Sequence, residues 1–278
     1  LDRIVYACIF PGRLRPIQHF MLREPSMPAN RSANEVVTRL RNMVYGMESG
    51  SPAQAGPRFS TGSAALDRLL PSQGIQRGSL LEWLGETEAS GAATLALLAA
   101  REAIRRRGRL VVIDPRQMFY PPAATAWGID PARLLVLHPA GRRDCSWALY
   151  QTLRSPAVAA VWTWLEVLDP HTARRLALAA EESGGVGLFV RPGAARREPS
   201  WAEERLFVQP LRCAEFHGPA WQVEAARSRH LGRGGAVRLR ADEQGILHEI
   251  DHHETHPLSL VPRLASSTTL TEAAGTPR

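Results

Sequence analysis

Between residues 78 and 190, short apolar runs alternate with segments of helical length, and this alternation is what most restricts the fold. Residues 78–84, 110–113, 134–137, 157–165 and 187–190 read as strands, and 92–107, 146–153 and 171–183 read as helices. Strands that are apolar along their whole length must be buried on both faces. Separated by helices, they predict right-handed crossovers and a largely parallel sheet covered on both sides. The helix over 92–107 closes on Arg105, Arg106, Arg107 and Gly108, where cations offset the helix dipole and glycine suits the cap. Beyond residue 200 the pattern changes. Residues 205–209, 221–227, 236–240 and 246–250 read as strands joined by turns at 217–219, 231–235 and 242–245, a hairpin pattern. The fold class expected is therefore α/β, with a mostly parallel central sheet flanked by helices and finishing in antiparallel strands.

This core is expected over 59–256. Residues 1–32 read as an irregular extension, and because the chain begins with Leu1, a misassigned start with Met21 or Met27 as the true one is a reading of it. Residues 33–58 read as a helix plus linker. Val36, Val37, Leu40, Met43, Val44 and Met47 fall on one helical stripe, and 49–57 is rich in Gly, Pro, Ser and Ala. That stripe suits either a partner protein or the chain's own domain. Residues 257–278, rich in Ser, Thr and Pro, read as a disordered tail. No apolar run reaches the ~18 residues of a membrane span. Cys8, Cys145 and Cys213 are scattered and odd in number, which fits a reducing compartment and a cytoplasmic protein rather than a disulfide framework.

All 34 basic side chains are arginine, and the chain has no lysine. No lysine can therefore form a Schiff base or reach a phosphate here. The net charge of +7 suits a nucleic-acid partner, although an arginine-rich genome composition produces the same balance.

The segment Phe59-Ser-Thr-Gly-Ser-Ala-Ala-Leu-Asp-Arg-Leu-Leu70, followed by Gly78-Ser-Leu-Leu-Glu-Trp-Leu-Gly85, resembles the entry to the RecA ATPase core. The likeness continues at Leu110-Val-Val-Ile-Asp114, at Trp127-Gly-Ile-Asp-Pro-Ala-Arg-Leu-Leu135, at 157–168 and through the final hairpins. In that family a phosphate loop follows the first core strand. A working loop needs G-x-x-x-x-G-K-[ST], in which backbone N–H groups cradle phosphate, lysine reaches the terminal oxygens and the hydroxyl holds magnesium. Here it reads Gly85-Glu-Thr-Glu-Ala-Ser-Gly91-Ala92-Ala93-Thr94. Gly91 stands for the second glycine, Ala92 for the lysine and Ala93 for the metal ligand, and the spacing from Gly85 is one residue too long. Glu86 and Glu88 add negative charge where an anion would sit. The resemblance places a water-activating Glu after the second core strand, where this chain has Arg116. It places a metal-associated Asp where this chain has Trp164, with Glu166 the nearest acid. The resemblance thus implies a RecA-like fold with a degenerate phosphate loop, no catalytic residues and no cofactor. A tight strand–helix turn, or weak anion binding at the helix start, is what such a loop retains.

A RecA-like core with a decayed phosphate loop resembles the ImuA family of translesion-synthesis accessory proteins, which shares distant likeness with SulA division inhibitors. Arg191-Pro-Gly-Ala-Ala-Arg-Arg-Glu-Pro-Ser-Trp-Ala-Glu-Glu-Arg-Leu206 is similar to the ImuA stretch after a late core strand. The resemblance implies a non-catalytic adaptor in SOS-induced mutagenesis. Its partners would be an inactive ImuB-type Y-family polymerase homologue and a DnaE-type error-prone polymerase, and it would contact RecA or single-stranded DNA at the nucleoid. The alternatives are a SulA-like inhibitor of the tubulin-like division protein and a divergent RecA-type ATPase.

The resemblance also places a DNA-binding loop at 191–202, which makes Arg191, Arg196, Arg197 and Trp201 candidates for phosphate contact and base stacking. Arg227, Arg229 and Arg233 extend the same patch or form a charged strand edge. Arg142 and Arg143 read as solvated. His248-Glu249-Ile250-Asp251-His252 spells a zinc-protease signature but continues a strand, in which the two histidines stand about 13 Å apart. No metal site is expected there.

Overall fold

The computed structural model describes residues 5–9, 57–213, 218–226, 235–250 and 255–257. The partner-binding stripe of residues 36–47, the arginines at 227, 229 and 233, and the tail beyond 257 lie outside them. One large sheet of eleven strands organises the described residues. In chain order its members are β1 (Val5–Ile9), β4 (Leu80–Gly85), β5 (Arg109–Ile113), β6 (Leu134–Pro139), β7 (Val158–Trp164), β8 (Val186–Pro192), β9 (Glu204–Cys213), β10 (Ala220–Ala226), β11 (Ala236–Ala241), β12 (Leu247–Glu249) and β13 (Thr255–Pro257). A two-stranded ribbon, β2 (Arg58–Phe59) and β3 (Ile75–Gln76), precedes it. The helices are α1 (Ala64–Leu69), α2 (Ala92–Arg106), α3 (Pro121–Ala126), α4 (Arg142–Leu153) and α5 (Pro170–Ser183).

The spatial order is β1-β6-β5-β7-β8-β4-β9-β10-β11-β12, with β13 also on β9. Every pairing from β1 to β9 along that path is parallel, and β9 to β12 pair antiparallel. The expected parallel sheet with an antiparallel finish is therefore present. Its central strands have no wet face. On β5, Leu110 and Val112 pack on the α2 side, while Val111 and Ile113 pack on the α4–α5 side. Burial on both faces explains why these strands are apolar runs rather than alternating ones.

One element differs from the sequence expectation, and one was not anticipated. Residues 1–32 were expected to be irregular, yet Val5–Ile9 forms the strand β1, in parallel register with β6. A run of β-branched and aromatic residues suits a strand that completes an open sheet edge. The segment Pro121–Ala126, which the sequence pattern leaves unassigned, is the helix α3, with proline in its first turn, where a missing N–H costs nothing.

The entry element is locked by one carboxylate. Asp67 accepts hydrogen bonds from the Thr61 N–H and Thr61 Oγ1, both at 2.7 Å, while Ser63 caps α1 by accepting from the Leu66 N–H. This turn delivers the chain to β4, whose six residues are all buried at the centre of the sheet.

Candidate functional site at the carboxyl ends of the strands

In an open α/β sheet, ligands collect where strands end and helices begin. Here β4 ends at Gly85, a turn follows, and α2 begins at Ala92. Both glycines of the turn are required by packing. A Cβ at Gly85 would overlap the Ser90 side chain, and a Cβ at Gly91 would overlap the indole of Trp221. Gly91 also has φ +88°, in the left-handed region that other residues avoid. Ser90 is fully buried, and its Oγ accepts from the Ala92 N–H at 3.4 Å. The Ser90 N–H in turn donates to the Thr87 carbonyl at 3.1 Å. The loop thus folds onto its own serine and onto an indole from β10, two strands away.

The acidic loop residue and the basic residue after β5 meet. Arg116 Nη2 lies 2.7 Å from Glu88 Oε1, and its Nη1 lies 3.9 Å from Glu166. Asp114, at the end of β5, is buried. It accepts from the Phe119 N–H at 2.7 Å, and its carbonyl lies 2.9 Å from His138 Nδ1. Thr163 Oγ1 donates to the Ile113 carbonyl at 2.8 Å, tying β7 to β5.

Beside the first turn of α2 these elements enclose a cavity of about 290 Å³. Its walls are Thr94, Leu97, Phe119, Trp127, Trp162 and Trp164, with Asp114, Arg116 and Glu88 at the polar side. Phe119 and Trp162 pack as a tilted pair, centroids 5.6 Å apart, and Trp162 Nε1 donates to the Ala93 carbonyl at 3.3 Å. Arg116 and Trp164 separate it from a second cavity, of about 380 Å³, between β7 and the starts of α4 and α5. Cys145 lines that second cavity, and burial pushes its thiol pKa up.

Of the arginines expected to meet DNA, Arg191 is corrected by the structure. It is buried, with Nη1 3.2 Å from Glu82 and Nη2 2.6 Å from Glu198. Glu82, equally buried on β4, also accepts from Arg205 Nε at 2.9 Å and from Ser200 Oγ at 2.8 Å. Arg205 stands directly opposite Glu82 on β9 and reaches the carbonyls of Ala195, Arg196 and Glu198. A buried glutamate is tolerable only when paired and hydrogen-bonded, and Arg191 is held for that purpose. Arg196 pairs with Glu224 at 2.7 Å and lies over the Phe207 ring. Arg197 is exposed, and Trp201 is half-exposed beneath the Arg174 guanidinium. Arg142 and Arg143 are exposed at the start of α4. His248 sits on the strand β12, its Nε2 2.9 Å from Asp242, so the zinc-protease spelling is not helical. Among the described residues no group of acidic, His or Cys side chains is placed to hold a metal. No helix there is long and apolar enough to cross a membrane.

Sequence reasoning missed the aromatic cavity and Trp221. A signal for the cavity was present: Trp162 and Trp164 are two apart on a strand, which puts them on one face.

Comparison with known proteins fits this architecture. A sequence model of the RecA N-terminal domain matches residues 43–162. Protein ImuA of Caulobacter vibrioides is 29% identical over 249 residues, covering 82% of this chain and 98% of that protein. Protein RecA of Rhodopirellula baltica is 34% identical over 129 residues, 46% of this chain and 32% of its own length. A crystal structure of the RadB recombinase superposes with a TM-score of 0.53 at 18% identity, over 69% of this chain and 99% of that one, a likeness of fold. The chain is thus similar to Protein ImuA over most of its length and to the RecA N-terminal domain over residues 43–162.

Proposed function

We propose that the chain is a non-catalytic accessory protein of mutagenic translesion DNA synthesis. In this reading it acts beside an ImuB-type polymerase homologue and a DnaE-type error-prone polymerase. The similarity to Protein ImuA along nearly its whole length supports the assignment. The observation that carries the non-catalytic part is the filled loop: Ser90 and Trp221 pack where the two glycines of a phosphate loop would leave room. The Arg116–Glu88 pair supports the same reading, because a cation stands where the resemblance calls for a base and it is neutralised by an acid of the loop. Phosphoryl transfer depends almost wholly on positioning and charge stabilisation, which that arrangement does not supply.

Contact with single-stranded DNA or RecA belongs to the same reading. Arg196, Arg197 and Trp201 are the exposed members of the loop set that would make it, Arg196 being paired with Glu224. The test has two arms. Purified protein is assayed for Mg-ATP turnover with and without single-stranded DNA, and the chain is tested for restoring damage-induced mutation in a bacterium lacking its own ImuA. No turnover with restored mutagenesis is expected. ATP turnover that disappears in Gly91→Ala would overturn the non-catalytic reading, and failure to restore mutagenesis would overturn the assignment to translesion synthesis.

A further inference from the structure

The cavity beside α2 combines three properties that a vacant nucleotide site would not need. Its volume, about 290 Å³, is at the bottom of the range for small-molecule pockets, roughly 300–1,000 Å³. That is room for one bulky group. Its walls are aromatic, with Phe119, Trp127, Trp162 and Trp164 around Leu97. At its rim Met118 and Tyr120 are 60% and 67% exposed, an unusual outlay of apolar surface beside a concavity. Methionine and tyrosine are side chains that suit a protein-contact surface.

The charges decide what kind of group enters. Glu88, Asp114 and Arg116 line the cavity, and Glu166, 3.9 Å from Arg116, lines the neighbouring one. The guanidinium that lines it, Arg116, is already engaged by Glu88 and Glu166. His138 Nδ1 lies 4.0 Å from Asp114 Oδ2. A mouth lined by two acids and one base, the base already paired, disfavours phosphate and favours a cation. This argues against a nucleotide or a flipped base as occupant.

We infer that this cavity is the docking socket for a partner-protein segment that inserts an aromatic or long aliphatic side chain and carries basic residues next to it. The apolar anchor packs between Phe119, Trp162 and Trp127, and the neighbouring cations lie against Glu88 and Glu166. The inference rests on the non-catalytic reading, since it gives to a peptide the space that a RecA-like ATPase would use at the end of the second core strand.

Seven tryptophans are in the chain, and three line the socket, so intrinsic fluorescence reports its occupancy. The probes are two acetylated, amidated tetrapeptides, Leu-Phe-Arg-Arg and Leu-Phe-Glu-Glu, titrated into the full chain. The basic peptide is expected to give a saturable change at roughly fivefold lower concentration than the acidic one. Ala123→Phe, a filling change at an exposed wall position, should abolish the response, and Glu88→Gln should narrow the gap between the peptides. Circular dichroism checks that both variants fold. Equal binding of the two peptides, no saturable change, or a response unaltered in both variants overturns the socket. Mg-ATP turnover in the same samples would instead overturn the non-catalytic reading, so the two failures are distinguishable.

Discussion

Arg116 Nη2 lies 2.7 Å from Glu88 Oε1, which joins the end of β5 to the turn between β4 and α2. The pair spans the mouth of the place where a RecA-like ATPase would hold its terminal phosphate. Two departures that look independent along the chain, an acid added to the loop and a cation after the second core strand, are one arrangement in space. Each neutralises the other, and an acid restored at position 116 alone would leave like charges together.

Restoring an acid after β5 should therefore lower stability instead of creating activity. In Arg116→Glu, the new carboxylate faces Glu88 and Glu166 with no cation between them. Both partners of the native pair are part-exposed, so its loss costs about 1 kcal/mol, with a comparable amount for the new repulsion. Urea denaturation should show a lower midpoint with an unchanged slope, recovered in part by Glu88→Gln in the same chain. Gain of ATP turnover by Arg116→Glu would contradict the account.

Gly91 is held open for Trp221, and the dependence is measurable. Gly91→Ala adds a methyl group at φ +88°, where it overlaps the indole, and should cost ~2–4 kcal/mol from backbone strain and overpacking together. Trp221→Leu alone is destabilising through the space it leaves. The two changes share one contact, so their effects should fall well short of additive in a double-mutant cycle. Strict additivity would mean that the glycine is needed for its backbone conformation alone.

The central strands were legible because burial on both faces writes an unbroken apolar run, as in β5 and β7. The final hairpins were legible from their turns. The site was less so, because its contacts join distant residues. Glu88 and Arg116 are separated by 28 positions, and Glu82 and Arg191 by 109. Trp221 reaches Gly91 only because β10 lies two strands from β4. Arginine is also a poor guide to exposure in a chain where it supplies every basic side chain. Arg191 and Arg197 are indistinguishable by type, yet one is an internal counter-ion and the other faces water.

The turn after β11 should carry an acid-sensitive contribution to stability. Asp242 accepts hydrogen bonds from His248 and from the Ile246 and Gln244 N–H groups, and these hold its carboxyl below the ordinary 3.8 of an aspartate, the His248 bond contributing most. A carboxylate whose pKa is depressed on folding stabilises the fold above its unfolded value, and that contribution fades as pH falls through the folded value. The loss should therefore begin below about pH 4. Asp242→Asn should flatten this limb of the stability curve while leaving the curve above pH 5 parallel to that of the parent. A parent and variant with identical acid limbs would show that the turn adds nothing.

Arg191 and Arg197 should separate folding from nucleic-acid contact. Arg191→Ala leaves Glu82 and Glu198 short of a counter-charge, with the Glu82 side chain 1% exposed, and removing one partner of a buried pair costs about 3–5 kcal/mol. Arg197→Ala touches an exposed side chain and should alter stability by less than ~0.5 kcal/mol. If the loop meets single-stranded DNA, Arg197→Ala should weaken binding in fluorescence anisotropy and reduce its salt dependence by the share of about one phosphate contact. Arg191→Ala should shift the melting temperature first, with binding changing only where the fold is lost. A melting temperature unchanged in Arg191→Ala would contradict the buried network, in which Arg191 and Arg205 both hold Glu82 and Arg205 alone would remain.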